Sequence, residues 1–341
     1  MKGKNLFKVF LFCLVVTAFI LGGIFYYRSD VIRHPLKSSE KKVQFTVSKG
    51  ENLSDVIKTL NDKKIIKNKY FITQYVNRNS ISQSVKPGVY SFSENISLEK
   101  FIRYLNKGIK DDQTFKVVIP EGYDVEHIAE ALDKKGIISK ADFIKSCKEY
   151  KLPDFIKIDS GRRYALEGYL FPDTYEFFKG TEGKEIIDVM LKRFSEVIVN
   201  IQKETGKNIN KEDLDKIVTM ASIVEKEVDR QDERGKAASV FYNRLNKGMK
   251  LQSCATVLYA LGTHKDKLYY NDLKVNSPYN TYIVKGLPIG PISCPGVECI
   301  KAAINPEKTN YLFFVSKNDG THFFSDNEKQ FLEVKKVTQG N

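Results

Sequence analysis

"KIVTMASIVEKEVDRQDERGKAASVFYNRL", residues 216–245, is helix-forming almost throughout, and the placement of its acids decides how the rest of the chain is understood. At 100° per residue with Val218 as origin, Leu214 falls at about −40°, Ala221 at about −60°, Val228 at about −80°, Ile217 at about −100° and Val224 at about −120°, one apolar stripe. Glu225 lands at about −20°, inside the stripe, and Glu227 at about 180°, on the opposite face. The helical neighbours of Glu225 at three and four residues are Ala221, Ser222, Val228 and Asp229, none of them a cation. Glu227 has Arg230 three residues on. The pattern predicts a buried Glu225 without a local counter-charge and a solvated, paired Glu227.

A chain of 341 residues with 42% hydrophobic and 28% charged residues is globular and long enough for two or three domains. "VFLFCLVVTAFILGGIFYY", Val9–Tyr27, carries no charge, follows Lys2, Lys4 and Lys8, and has the length of a bilayer span. Its aromatic end suits a membrane interface and it offers no small-x-small cleavage site, so it predicts an uncleaved anchor with residues 1–8 as a short cytoplasmic tail. The bulk of the chain is then extracytoplasmic, after a linker at 28–42. The net charge of +13 is unevenly spread. Residues 1–112 hold 20 Lys and Arg against 9 Asp and Glu, whereas residues 113–341 hold 35 against 33. A membrane-proximal excess fits anionic lipid or wall polymer and argues against nucleic acid, which needs a basic reading surface on a folded domain.

An internal repeat follows: "FTVSKGENLSDVIKTLNDKKIIKNKYF" (45–71) realigns with "VVIPEGYDVEHIAEALDKKGIISKADF" (117–143), matching Gly50 with Gly122, Leu60 with Leu132 and Phe71 with Phe143. Each copy has the pattern of a strand, a glycine turn, an amphipathic helix and a second helix, and residues 85–108 supply a further strand and helix. Two copies make a duplicated α+β module, either a plain packing unit or a glycan-binding one. Beyond it, a long helix is expected from about Glu185 to Glu204, then the 216–245 helices with Asn210 as cap. "SPYNTYIVKGLPIGPISCPG" (277–296) is loop, of the kind that lines sites. Cys294 and Cys299 lack zinc spacing, and His34, His127, His264 and His322 form no ligand motif, so neither metal nor cofactor is expected.

The ordered motifs "VIPEG…IAEAL", "LEGYLFPDTYEF", "MASIVEKE", "FYNRL…M.LQ", "SPYNTY…GLPIGPI..PG" and "YLFFV…G.HFFS" together resemble the endolytic murein transglycosylase family, also described as YceG-like, from the membrane segment to about Ser325. The resemblance implies an α+β architecture: an N-terminal transmembrane helix (9–27), LysM-like modules (43–160) and a mixed helical and strand catalytic domain (161–341). It also implies cleavage of the MurNAc–GlcNAc bond of nascent peptidoglycan strands with 1,6-anhydro ends, ending strand elongation, beside peptidoglycan synthases such as penicillin-binding proteins. The catalytic role falls on Glu225 in "ASIVEKE". Gln252, Tyr279, Asn280 and Tyr282 match motif positions suited to sugars, and Glu167 and Asp173 bracket "GYLFPD". Where the family carries Asp-Pro after the Leu-Gln pair, this chain has Cys254 and Ala255, and the family's Glu-His after the last strand motif is missing. A buried, cation-free carboxyl has a raised pKa and can protonate a glycosidic oxygen. No second carboxylate stands out, and a transglycosylase needs none, since the muramic C6 hydroxyl attacks. The rival readings are a non-catalytic glycan-binding scaffold and a lysozyme-type hydrolase.

Overall fold

Alternation of Val43, Phe45 and Val47 with polar residues makes a half-buried strand, β1 (Lys42–Val47). It pairs antiparallel with β2 (Gly88–Ser93), Val47 facing Gly88 and Lys42 facing Ser93. In the computed structural model, which describes residues 2–37, 42–108, 114–262, 265 and 268–340, this hairpin centres the first of two compact units, residues 1–114 with 178–180. His264 lies outside the described residues. Helices α2 (Leu53–Asp62), α3 (Lys69–Arg78) and α4 (Leu98–Lys107) belong to this unit. Its core is aromatic: Phe45 stacks on Tyr90, and Phe92 meets Phe101 and Tyr104. Each buried large side chain contributes about 1.5–3 kcal/mol.

The N-terminal helix α1 runs Lys2–Arg33, and its segment Leu11–Arg33, mean hydropathy 1.8, is long and apolar enough to cross a membrane. Leu11, Phe12, Phe19 and Phe25 are exposed along it. The helix does not stop at Tyr27. Val31 and Leu36 are buried in the first core, and the Leu36 backbone bridges to Ile66, so the start of the expected 28–42 linker is built structure. The reason is apolar: both side chains find partners there.

The two aligned stretches share an order of elements. In the second copy β3 (Thr114–Val118), α5 (Val125–Lys134) and α6 (Lys140–Glu149) follow the order of β1, α2 and α3, and β3 pairs with β4 (Thr174–Phe178). Gly50 (φ +94°) and Gly122 (φ +78°) turn left-handed at matching positions, a conformation glycine adopts without steric cost. Asn52 and Asp124 cap the matching helices. The two copies part company in packing: the second contributes Val117, Ile128, Leu132 and Phe143 to the core of the other unit, residues 115–177 with 181–341. The boundary between the two compact units falls near residue 114.

The second unit is built around α8 (Lys211–Glu227), capped by Asn210 as expected. Beside it lie α7 (Gly183–Thr205), α9 (Gln231–Asn246), α10 (Cys254–Leu261) and α11 (Val297–Ile304). A hairpin of β5 (Phe313–Ser316) and β6 (His322–Ser325) and the final helix α12 (Glu328–Gln339) complete it. Every residue of α8 from Val218 to Val224 is buried. Over this stretch the helix has no solvent face, so the single-stripe reading of the 216–245 segment does not hold there. The helix also ends at Glu227: Val228 is extended (φ −137°) and buried, and the chain restarts as α9 three residues later.

Candidate active site

Two residues apart at the end of α8, Glu225 and Glu227 enter different surroundings. The Glu225 side chain is only 6% exposed, but it has a cation: Arg234 of α9, itself 8% exposed, places Nη2 3.3 Å from Oε1. The Gly296 N–H, at the start of α11, donates to Oε2 at 2.9 Å. Glu121, from the "PEG" turn of the second repeat copy, lies 3.7 Å from the same guanidinium. Burial and the Glu225 charge together push the Glu121 carboxyl up. The expectation of a cation-free Glu225 is therefore corrected. Its partner comes from the next helix, nine residues on, beyond the reach of a single-helix wheel.

Glu227 is corrected in the opposite sense. It makes no pair with Arg230, which binds Asp232 instead, and its carboxyl is enclosed by protein. Ser253 Oγ donates to Oε1 at 2.5 Å, and the Ala255 backbone N–H supplies a second bond. The carboxyl thus caps the start of α10, whose own cap residue Ser253 makes no side-chain cap bond. Desolvation raises its pKa, opposed by these two hydrogen bonds and by the nearby His322 and Arg244 side chains. Of the two acids, Glu227 is the one that meets the criterion of burial without a salt bridge.

Glu227 lines a cleft of about 440 Å³, with Gln252, Cys254 and Tyr282 on one side and Phe313, Phe314 and His322 of the β5–β6 hairpin on the other. Lys335 of α12 also borders it. Gln252 is exposed and left-handed (φ +53°), its N–H held by the Thr281 carbonyl. The Cys254 Sγ and Tyr282 hydroxyl lie 3.2 Å apart. Burial pushes the Cys254 thiol up. Arg244 is buried under the Phe313 ring and donates to the Leu312 and Leu251 carbonyls at 2.6 and 2.7 Å, locking the hairpin to α9.

His322 was not singled out as a site residue in the sequence, although it stands in the quoted "HFFS" motif. Its Nδ1 is 2.8 Å from Glu233 Oε2, and its backbone N–H donates to Oε1 at 3.1 Å. Glu227 could have been found from one signal. The seven residues Val218–Val224 contain no charge, which marks a helix buried all round.

The other candidates lie elsewhere. Glu167 is in the interior, accepting from the Val125 N–H and the Tyr259 hydroxyl at 2.9 Å, and burial pushes its carboxyl up to about 8. Asp173 pairs with Arg193 at 2.7 Å. Asn280 is fully buried and its amide holds the Leu273 and Val275 carbonyls. Tyr279 is buried and accepts from the Arg163 N–H. These four tie loops together, and the cleft gathers only Gln252 and Tyr282 from the expected set. All five cysteines are free, so Cys294 and Cys299 do not pair. Among the described residues no group of three or more His, Cys, Asp and Glu is placed to hold a metal ion.

An α+β unit that keeps one desolvated carboxyl in a solvent-open cleft, at a helix start and beside an oriented histidine, defines a class of protein equipped for proton transfer to a bulky ligand. The chain belongs to the YceG-like family, which it matches over residues 45–337. It is 35% identical over 329 residues to a Bacillus subtilis protein named endolytic murein transglycosylase, covering 93% of this chain and 90% of that one. A Streptococcus pneumoniae protein of the same name is 31% identical over 361 residues, and there the match takes in 94% of this chain but 64% of the relative. The crystal structure of a YceG-like protein from Listeria monocytogenes, 35% identical, aligns with a TM-score of 0.57 over 87% of this chain and all of that one.

Proposed function

We propose that the protein is an endolytic peptidoglycan transglycosylase and that Glu227, in place of Glu225, is its acid. The observation that carries this reading is the Glu227 carboxyl, desolvated without a salt bridge, in the cleft that holds Gln252, Tyr282 and His322. The names of the Bacillus and Streptococcus relatives supply the substrate, murein. A glycosidic oxygen leaves only when protonated. On this reading the Glu227 carboxyl, whose pKa burial raises, donates a proton to the oxygen between MurNAc and GlcNAc, and an oxocarbenium-like state forms at the anomeric carbon. The muramic C6 hydroxyl then attacks that carbon, closing a 1,6-anhydro ring without consuming water. Glu225 keeps a different task, joining α8 to α9 through Arg234 and to α11 through Gly296.

The apolar helix Leu11–Arg33 supports a single-pass anchor, and the lysines ahead of it support a cytoplasmic N-terminus with the enzyme outside. On this reading the duplicated modules serve as LysM-like glycan holders, and cutting nascent strands ends their elongation beside a synthase. The experiment is mass spectrometry of products from uncrosslinked glycan strands in H₂¹⁸O. Anhydro-muramic ends without ¹⁸O are expected. Reducing ends carrying ¹⁸O would convert the reading to a lysozyme-type hydrolase, and bound but uncut strands to a scaffold.

A further inference from the structure

The cleft holds a second titratable group with an orientation fixed from behind. Glu233 grips His322 at two points, Nδ1 at 2.8 Å and the backbone N–H at 3.1 Å, and both side chains are nearly enclosed, at 9% and 14% exposed. Glu233 sits in the first turn of α9, where the helix dipole favours negative charge. A carboxylate there can only accept, so the imidazole proton belongs on Nδ1 and the lone pair on Nε2. The ring packs edge-on against Phe314, near Phe324, which leaves little freedom to flip. Nδ1 is thus committed, and the ring borders the same cleft as Glu227. The other charged or titratable groups around that cleft are Arg244 of α9, Cys254 of α10, Tyr282 of the loop, and Glu328 and Lys335 of α12. None of these stands on a carboxylate held at two points, as His322 does.

We propose that His322 is the catalytic base of the reaction: Nε2 takes the proton of the attacking C6 hydroxyl while Glu227 acts as acid, and Glu233 positions the imidazole. The inference rests on the transglycosylase reading above. It replaces a single residue that must give and then take a proton with two separate groups, one to give the proton and one to take it. The C6 O–H bond breaks and its proton goes to Nε2, while the oxygen's electron pair forms the bond to the anomeric carbon. The bond from that carbon to the leaving oxygen breaks, and that oxygen keeps the Glu227 proton. A carboxylate and an imidazolium remain, and one proton passed from His322 to Glu227 restores both. The imidazolium formed in between is stabilised by Glu233 behind it, as in a carboxylate–histidine pair.

The test uses the detergent-solubilised full chain on uncrosslinked glycan strands. His322→Asn keeps an amide N–H at the Nδ1 position for Glu233 but offers no base at Nε2. Its kcat should fall about 10²-fold or more with KM nearly unchanged. His322→Gly should fall equally and regain at least about tenfold with added imidazole, a rescue that a purely structural histidine does not give. Glu233→Gln, which keeps the ring, should lose about tenfold in kcat and serves as the readout if the His322 variants do not fold. Wild-type turnover in His322→Asn, a loss confined to KM, or an unfolded pair of His322 variants with an undiminished Glu233→Gln would overturn the proposal. The failures are separable: if wild type makes anhydro ends, Glu227→Gln is dead and His322→Asn is fully active, the base is wrong and the transglycosylase stands. If wild type makes no anhydro ends, both readings fall.

Discussion

The junction of α8 with α11 and the cleft at the start of α10 each receive a glutamate from the same three-residue stretch, and they treat it in opposite ways. At the junction Glu225 meets a guanidinium and a backbone N–H, so its charge is matched and the helices are joined. At the cleft Glu227 meets a hydroxyl, a helix start and the cleft wall, so desolvation penalises its charge and raises its pKa. What separates the two carboxyls here is the partner supplied by a different element, since both are withdrawn from water. Burial alone does not distinguish them.

The sharpest way to break this comparison is to neutralise each acid in turn. Glu227→Gln should cut anhydro-end release by about 10²–10⁴-fold and leave melting unchanged or slightly raised, because an amide carries no desolvated charge. Glu225→Gln should do the reverse in kind. It leaves Arg234 with only Glu121 at 3.7 Å and costs about 1–3 kcal/mol of stability, with activity down only as far as the cleft loosens. Turnover assays with urea unfolding on both variants decide it. An inactive, fully stable Glu225→Gln beside an active Glu227→Gln would invert the assignment.

The same contrast explains what was legible in the chain. The Asn210 cap, the long helix α7 and the loop 277–296 follow from local rules of periodicity, capping and turn residues, and the structure agrees with them. The motifs carried the family. The environments of the two glutamates did not follow, because a helical wheel assigns one buried face and α8 is enclosed by several elements. Arg234 and Ser253 are contributed from nine and twenty-six residues away, and His322 from a strand ninety-five residues on. Asn280 and Tyr279 suited a sugar site by type, but Asn280 spends its hydrogen bonds inside the loop that holds Tyr282, and the Tyr279 hydroxyl accepts from the Arg163 N–H.

A third glutamate sharpens the comparison by separating a raised pKa from a cleft. Glu167 keeps its proton up to about 8 against an ordinary 4.5, yet borders no cavity named above. The unfolded chain releases this proton near the ordinary value and the folded chain holds it across the window, so the folded state binds more protons there and stability falls as pH rises. The slope attributable to Glu167 is at most about 1.4 kcal/mol per pH unit. Glu167→Gln should flatten the decline of unfolding free energy between pH 5 and about 8 while turnover at a fixed pH stays near wild type. Urea titrations across that window check it, and an unchanged slope would remove the account of Glu167 as a buried, protonated tie.

The smallest effect is expected at Cys254, and it tests whether the cleft needs anything beyond its proton-handling groups. Cys254 is the first residue of α10, exposed at the cleft beside Tyr282, at the place where the family pattern carries an aspartate. If the chemistry is proton transfer between Glu227, the sugar and His322, the thiol acts only through its contact with the Tyr282 hydroxyl. A serine makes the same contact with a shorter bond, so Cys254→Ser should change turnover by no more than about threefold, the scale of one weak hydrogen bond. Cys254→Asp is the stricter control. A carboxylate at the α10 start is favoured by the helix dipole but repels any charge on Glu227, so it should raise the Glu227 pKa further and shift the alkaline limb of the pH–rate profile upward. Initial rates of the two variants across pH measure both effects. Loss of activity in Cys254→Ser would make the thiol a reacting group, and the description of a cleft run by one acid and one base would have to be abandoned.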